Sequence, residues 1–255
     1  MSMKIAHRTL DCFEVFMRAA RPLTLTELAR ELDAPMSSCF AQVKALRERG
    51  YLYSLGSRRG FYPTQKMLAI MNTVARNDPI MEMFQPVLAD LRDRTRETVV
   101  LGKRADVDRI VYLALQEGPQ TIRFTGEVGA QVGLNTSAIG KAILGELDDD
   151  ELRENIAQLD LKKVTRASIT NPRDLFNAIK EGKRRGYQTT VGENEDDVMG
   201  IAACVTVGEE PFAIALAGPV QRMSELREEH AKKLLKACRQ IAAMQSKVLD
   251  GLAAG

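Results

Sequence analysis

Ser37, Ser38 and Gln42 recur at helical spacing in PMSSCFAQVKALRERG, Lys44 follows them, and Arg58-Arg59 lies in a short glycine-bearing stretch, SRRG. Hydroxyls, an amide and paired cations suit recognition rather than bond making. Hydroxyls and guanidinium groups bind phosphate oxygens, and a glutamine amide can read adenine bidentately in a major groove. Residues for bond-making chemistry are scarce. The two histidines, His7 and His230, fall in the first and last helical patterns, and neither neighbours a Ser or Cys in a nucleophile-elbow sequence. No P-loop or dinucleotide glycine fingerprint is present. Cys12, Cys39, Cys204 and Cys238 lie far apart without a CxxC pair, so a zinc site is not expected. They read as reduced and mostly buried, which suits a cytoplasm. Neither a cofactor nor a metal is expected.

The recognition residues require elements to hold them. Leu10, Phe13, Val15, Phe16 and Ala20 form an apolar stripe at helical spacing, and Arg21-Pro22 ends that helix. Thr24 with Glu27 three residues on is a capping box, and Leu25, Leu28, Ala29 and Leu32 give a short second helix its buried side. Asp33-Ala34 breaks the pattern, and Pro35 is expected at the first position of a third helix. There Met36, Cys39, Phe40 and Val43 are expected inward, and Ser37, Ser38, Ala41 and Gln42 outward. Gly50 stops this helix, Tyr51-Leu52-Tyr53 alternates as a strand, and Phe61-Tyr62 returns after the basic turn. Helix, turn, helix and basic hairpin make a winged helix-turn-helix, with the third helix in a major groove and Arg58 and Arg59 on a phosphate strand. Winged helices also serve as protein–protein modules.

Charge supports the polyanion reading. Residues 1–76 carry 12 Lys+Arg against 6 Asp+Glu, leaving 24 against 28 for the rest, so +6 and −4 sum to the net +2. Chance clustering of surface charge is the plain alternative. No run of about 20 apolar residues is present to span a bilayer. The start, MSMKIAHRTLDCFEVF, lacks the marks of a secretory signal, so a soluble intracellular protein without a membrane partner is expected.

Past the wing, residues 65–76 read as a helix and Asn77-Asp78-Pro79 breaks it. Residues 80–94 form a second amphipathic segment, kinked or restarted at Pro86, that serves either dimer contact or ordinary packing. Strands are expected at 97–101, 109–113, 121–124, 187–191, 201–207 and 212–217. Helices are expected at 137–144, from the acidic run 148–151, from Asn171-Pro172 to Gly186, and from about 224 to 249. The class is α+β in two domains, the second an antiparallel sheet with helices on one side. The boundaries are 1–64 for the winged helix, 65–95 for a helical linker and 96–255 for the second domain.

Three stretches then carry a family likeness: ELARELDAPMSSCFAQVKALRERGYL, LNTSAIGKAILGEL and MGIAACVTVGEEPFAIALAGPVQRM. In order and over nearly the full length, they resemble the IclR family of bacterial transcription regulators. The resemblance implies a GAF-like C-terminal domain that binds a small organic acid, often metabolic or aromatic. It also implies a homodimer or dimer of dimers on two-fold related half-sites of double-stranded DNA.

The resemblance further implies a ligand site, residue by residue. Gly133, Leu134, Thr136 and Ser137 lead into a helix N-terminus suited to a carboxylate, with simple capping as the alternative. Cys204 is either a ligand contact or a small buried hydrophobe. Glu195 and Asp196 either accept from a ligand hydroxyl or cap a loop. Ala215 and Ala217 stand where some relatives place serines, which implies a less polar pocket and a larger or aromatic acid. Ala41 stands where the family commonly has Arg, and Gly133 where it has Pro. The alternative functions are a thiol sensor using Cys204 and, least, a small-molecule enzyme.

Overall fold

The computed structural model describes residues 2–56 and 59–253. The chain divides into two compact units, 1–78 and 79–255.

The first unit contains α1 (Ser2–Ala19), α2 (Leu25–Glu31), α3 (Met36–Glu48), the strands β1 (Leu52–Ser54) and β2 (Phe61–Pro63), and α4 (Lys66–Arg76). Thr24 starts α2 as the capping box requires: the Glu27 N–H donates to its hydroxyl, and its own N–H donates to Glu27 Oε2 at 2.8 Å. Donation from the Thr24 N–H, then from Arg21 and the Thr24 hydroxyl, holds the Glu27 carboxyl down at about 2. Asp33, at φ 44°, turns the chain between α2 and α3. Pro35 is the residue before α3 rather than its first, with an extended ψ of 140°. Cys12, Val15, Phe16, Leu28, Cys39, Val43 and Leu46 make the core. The hairpin is sewn to the entry of α2, where Leu23 and Phe61 exchange backbone bonds of 3.1 and 2.8 Å. A Cβ on Gly60 would sit 2.2 Å from the Leu23 carbonyl oxygen, and its φ is 83°, so only glycine fits.

The second unit begins with α5 (Pro79–Thr95), so the helical region 65–95 is shared between the units. Pro86 does not restart α5, which runs as one helix from Pro79 to Thr95. It lies on the exposed face, where solvent can serve the carbonyl its missing N–H leaves unpaired. Then follow β3 (Thr98–Arg104), β4 (Arg109–Gln116), β5 (Gln131–Gly133), α6 (Ala138–Leu144), α7 (Asp149–Gln158) and α8 (Pro172–Arg185). The chain ends with β6 (Gln188–Val191), β7 (Val198–Val207), β8 (Glu210–Pro219), α9 (Val220–Glu225) and α10 (Arg227–Ala253).

The six strands form one antiparallel sheet in the order β5-β4-β3-β8-β7-β6. The stretch 121–124 is irregular rather than a strand, and β5 takes the edge instead. Phe124 is held out of the ladder by its carbonyl, which accepts from the Thr98 hydroxyl at 2.6 Å, and its ring enters the core.

Helices cover both faces of the sheet, not one. Met199, Ile201, Ala203 and Val205 of β7 and Phe212, Ile214 and Leu216 of β8 face α5, α9 and α10, with Phe84, Leu88, Leu91, Met223, Leu234 and Ile241. Their neighbours, Ala202, Ala213, Ala215 and Ala217, face the opposite way, toward α6, α7 and α8. Period-2 alternation thus sorts large residues to one face and small ones to the other. The small residues leave room beneath α6.

Candidate functional site

In the first unit, the exposed face of α3 is rotated from the sequence-based reading. Met36 and Phe40, expected inward, are 45% and 57% exposed, and Leu46 completes the buried stripe instead. Ser38 and Gln42, expected outward, face α1. Arg8 Nη1 donates to the Ser38 hydroxyl at 3.2 Å, and Gln42 Nε2 donates to the Arg8 carbonyl at 2.6 Å. Both residues therefore fix the angle of α3 on α1. Ser37, Phe40, Ala41 and Lys44 form the open face, where Lys44 Nζ lies 3.8 Å from Glu48. Phe40, Lys44, Arg47, Tyr53 and Phe61 border a groove between α3 and the hairpin. Arg59 is exposed in the turn of the hairpin, and Arg58 lies outside the described residues.

In the second unit, a cavity of about 50 Å³ opens beneath α6. Ala215 and Ala217 form its floor with Val100 and Gly200, while Tyr112 and Phe124 wall one side. Thr136, Ser137, Thr190, Asn194 and Glu195 supply its polar groups. A Cβ on Gly200 would lie 2.9 Å from Thr190 Oγ1 and 3.0 Å from Ala138 Cβ, so any side chain there would enter the cavity wall. Ser137 caps α6, its hydroxyl accepting from the Gly140 N–H at 2.9 Å. Capping accounts for Ser137, and α6 has only seven residues.

The turn from Gly192 to Val198 carries Asn194 and Glu195 to the mouth of the cavity. Four contacts fix it: the Thr165 hydroxyl donates to the Gly192 carbonyl at 2.6 Å, and the Ser168 hydroxyl donates to the Glu193 carbonyl at 2.7 Å. Thr136 donates to Asn194 Oδ1 at 3.3 Å, and Lys141 of α6 donates to both Glu193 oxygens. Burial lowers the Lys141 pKa and raises that of Glu193, pulling each toward its neutral form, while their pairing opposes this. Burial, then the charge of Glu195, pushes the Tyr112 phenol up to about 12, so it is a neutral donor at pH 7.

Of the expected ligand residues, Thr136, Ser137, Glu195, Ala215 and Ala217 line this cavity. Gly133 instead borders a neighbouring polar crevice with Asp108, Arg109, Asp160 and Lys162. Leu134 is fully buried in the core under α6, and Asp196 is exposed on the turn. Cys204 packs half-buried against the same core without lining the cavity. Burial, then Glu146, pushes its thiol up to about 12, the opposite of the lowered pKa a reactive thiol requires. Sequence reasoning missed Tyr112, Phe124, Thr190, Asn194 and Gly200. One signal was there to find: Lys141 is the sole charge in AIGKAIL, and a buried lysine in an apolar helix demands a carboxylate partner.

Among the described residues no helix is long and apolar enough to cross a membrane, and no cluster of His, Cys, Asp and Glu is arranged to hold a metal ion.

Comparison with known proteins agrees with this architecture. Residues 6–56 match the model of the IclR helix-turn-helix domain, and residues 72–243 match that of the bacterial transcriptional regulator IclR C-terminal domain. The HTH-type transcriptional regulator BhcR of Paracoccus denitrificans is 28% identical over 222 residues, 86% of this chain and 79% of that protein. A transcriptional regulator from Rhodococcus sp. RHA1 superposes with a TM-score of 0.80 at 22% identity, covering 96% of this chain and 99% of the other. An IclR homologue from Microbacterium hydrocarbonoxydans, complexed with 4-hydroxybenzoate, gives a TM-score of 0.76 at 18% identity over 95% and 99% of the two chains. A helix-turn-helix unit followed by a sheet domain, both matched by models of one family, places the chain in the IclR family of bacterial transcriptional regulators.

Proposed function

We propose that this protein regulates transcription by binding double-stranded DNA through α3, with an affinity set by a small molecule in the cavity beneath α6. The observation that carries the DNA half is the partition of α3. Its inner face is core, its flank is bonded to α1 through Ser38 and Gln42, and its open face presents Ser37, Phe40, Ala41 and Lys44. A helix so fixed can enter a major groove as a rigid body, with Lys44 and the wing arginines Arg58 and Arg59 on phosphates. The winged helix of residues 1–64 acts as the reader and residues 96–255 as the sensor. The linker region 65–95 is the segment through which ligand binding reaches α3.

The protein acts as a homodimer or dimer of dimers on two-fold related half-sites. The exposed stripe of Leu68, Met71 and Val74 on α4 supports a partner for that helix. The sequence leads to a small organic or aromatic acid as ligand, and the 4-hydroxybenzoate bound by the Microbacterium homologue supports a small-molecule sensor. Control requires that the ligand bind the DNA-competent and incompetent arrangements with different affinity, typically by about 1–3 kcal/mol.

Recovery of fragmented genomic DNA on the purified full chain tests the reading. A few discrete sites are expected for the wild type, with uniform low recovery for a Ser37→Ala/Lys44→Ala variant. Uniform recovery by the wild type would overturn the reading.

A further inference from the structure

The open face of α3 is poor in side chains that read bases by paired hydrogen bonds. In a major groove, Arg or Lys takes guanine bidentately, and Asn or Gln takes adenine. Gln42, the sole amide of α3, donates to the Arg8 carbonyl on the flank toward α1, where Ser38 accepts from the Arg8 guanidinium. Arg47 is turned to the hairpin, its guanidinium carbon 5.7 Å from the centre of the Phe61 ring. Lys44 Nζ lies 3.8 Å from Glu48, one turn on. The rest of what faces outward is short or apolar: Met36, Ser37, Phe40, Ala41 and Ala45 are all exposed.

Met36 and Phe40 stand one turn apart on the same flank of the helix, 45% and 57% exposed. Phe40 continues into the groove it shares with Tyr53 and Phe61, so the apolar surface is contiguous rather than scattered and calls for a partner. Lys44 and Arg47 border the same groove, and residues 1–76 carry +6, so that partner is a polyanion. Duplex DNA presents one apolar group in its major groove, the C5-methyl of thymine. We infer that α3 reads sequence through thymine methyls, with Phe40 as the specificity-determining residue. Ala41 beside it is small enough to let the helix approach the base edges, while Lys44 serves phosphates. The inference rests on the reading of α3 as the DNA-binding helix.

Exchange of thymine for uracil tests it, because uracil lacks only the methyl and keeps every hydrogen-bonding group. A duplex is enriched from random sequence on the full chain, each of its thymines is replaced in turn, and affinity is read by fluorescence anisotropy. At one or more positions the exchange is expected to weaken wild type about fourfold, the worth of one buried methyl group. Phe40→Ala, an exposed change checked by its melting temperature, is expected to bind the thymine and uracil duplexes equally. Phe40→Leu is expected to keep part of the difference, and it decides the matter if Phe40→Ala binds too weakly to read. A site with no uracil-sensitive position, or an exchange that weakens the Phe40 variants as much as wild type, would overturn the inference while leaving α3 as the DNA-binding helix. A wild-type chain that enriches no duplex over random sequence would overturn that reading and the inference together.

Discussion

Lys141 of α6 and Glu193 of the β6–β7 turn form a bidentate ion pair, with Nζ 2.7 and 2.6 Å from the two carboxylate oxygens and both side chains buried. The pair joins the helix behind Ser137 to the turn that carries Asn194 and Glu195, both of which line the cavity. Removing one partner leaves the other charge buried and alone, which costs about 3–5 kcal/mol. Lys141→Met is therefore expected to lower the melting temperature of the C-terminal unit markedly. Lys141→Met/Glu193→Leu should recover much of that loss without restoring ligand binding, because the turn is no longer fixed. Differential scanning calorimetry of the two variants checks this, and equal melting temperatures would contradict it.

Gln42 anchors α3 to Arg8 rather than facing out. Gln42→Ala is expected to cost about 1 kcal/mol of stability in the first unit and to weaken all duplexes alike. Lys44→Ala should leave stability within about 0.5 kcal/mol, as exposed substitutions do, and reduce DNA affinity. Urea melts paired with fluorescence anisotropy on matched and mismatched duplexes separate the two effects.

His230 on α10 is 1% exposed, and neither ring nitrogen has a hydrogen-bond partner among the described residues. Burial holds its pKa below the ordinary 6.5; Glu97 and Glu229 oppose this, and Lys233 and Arg222 add to it. The unfolded chain then takes up the proton first. Stability from this site is present above pH 6.5 and is lost as pH falls toward and through the folded pKa, by up to about 1.4 kcal/mol per pH unit. His230→Leu is expected to be as stable as wild type or more so at pH 7.5, and to flatten the melting curve between pH 7 and 5. Melting temperatures across that range check the sign.

Cys204 is half-buried with its thiol raised to about 12. Cys204→Ser is expected to leave the response of DNA binding to peroxide unchanged. A response present in wild type and lost in the variant, read by anisotropy, would revive the thiol-sensor alternative.

The sequence was most legible where local rules decide the structure. Thr24 with Glu27, Asp148 with Glu151, and Asn171-Pro172 through Gly186 mark three helices by their caps alone. The alternation of VMGIAACVTV and EPFAIALAGP marks two strands, while Ala215 and Ala217 were legible as cavity residues only through the family resemblance. Long-range bonds decided the rest. TIRF has strand composition, but the Thr98 hydroxyl takes the Phe124 carbonyl and the ring is buried, so tertiary contact overrides propensity. Phe40 has the type of a core residue, yet Leu46 closes the stripe and leaves it outside. Lys141 and Glu193 are separated by 52 positions, and no spacing rule joins them.

The proposed function requires the open face of α3 to read duplex DNA. The measurement that tests it most directly is the affinity of the full chain for a duplex enriched from random sequence, against a scrambled duplex, at about 150 mM salt. Wild type should discriminate by at least about 10³, and a Ser37→Ala/Phe40→Ala/Lys44→Ala variant with an unchanged melting temperature should not discriminate. A wild-type chain that binds both duplexes equally, or a variant that keeps the discrimination, would show that this face of α3 does not read DNA.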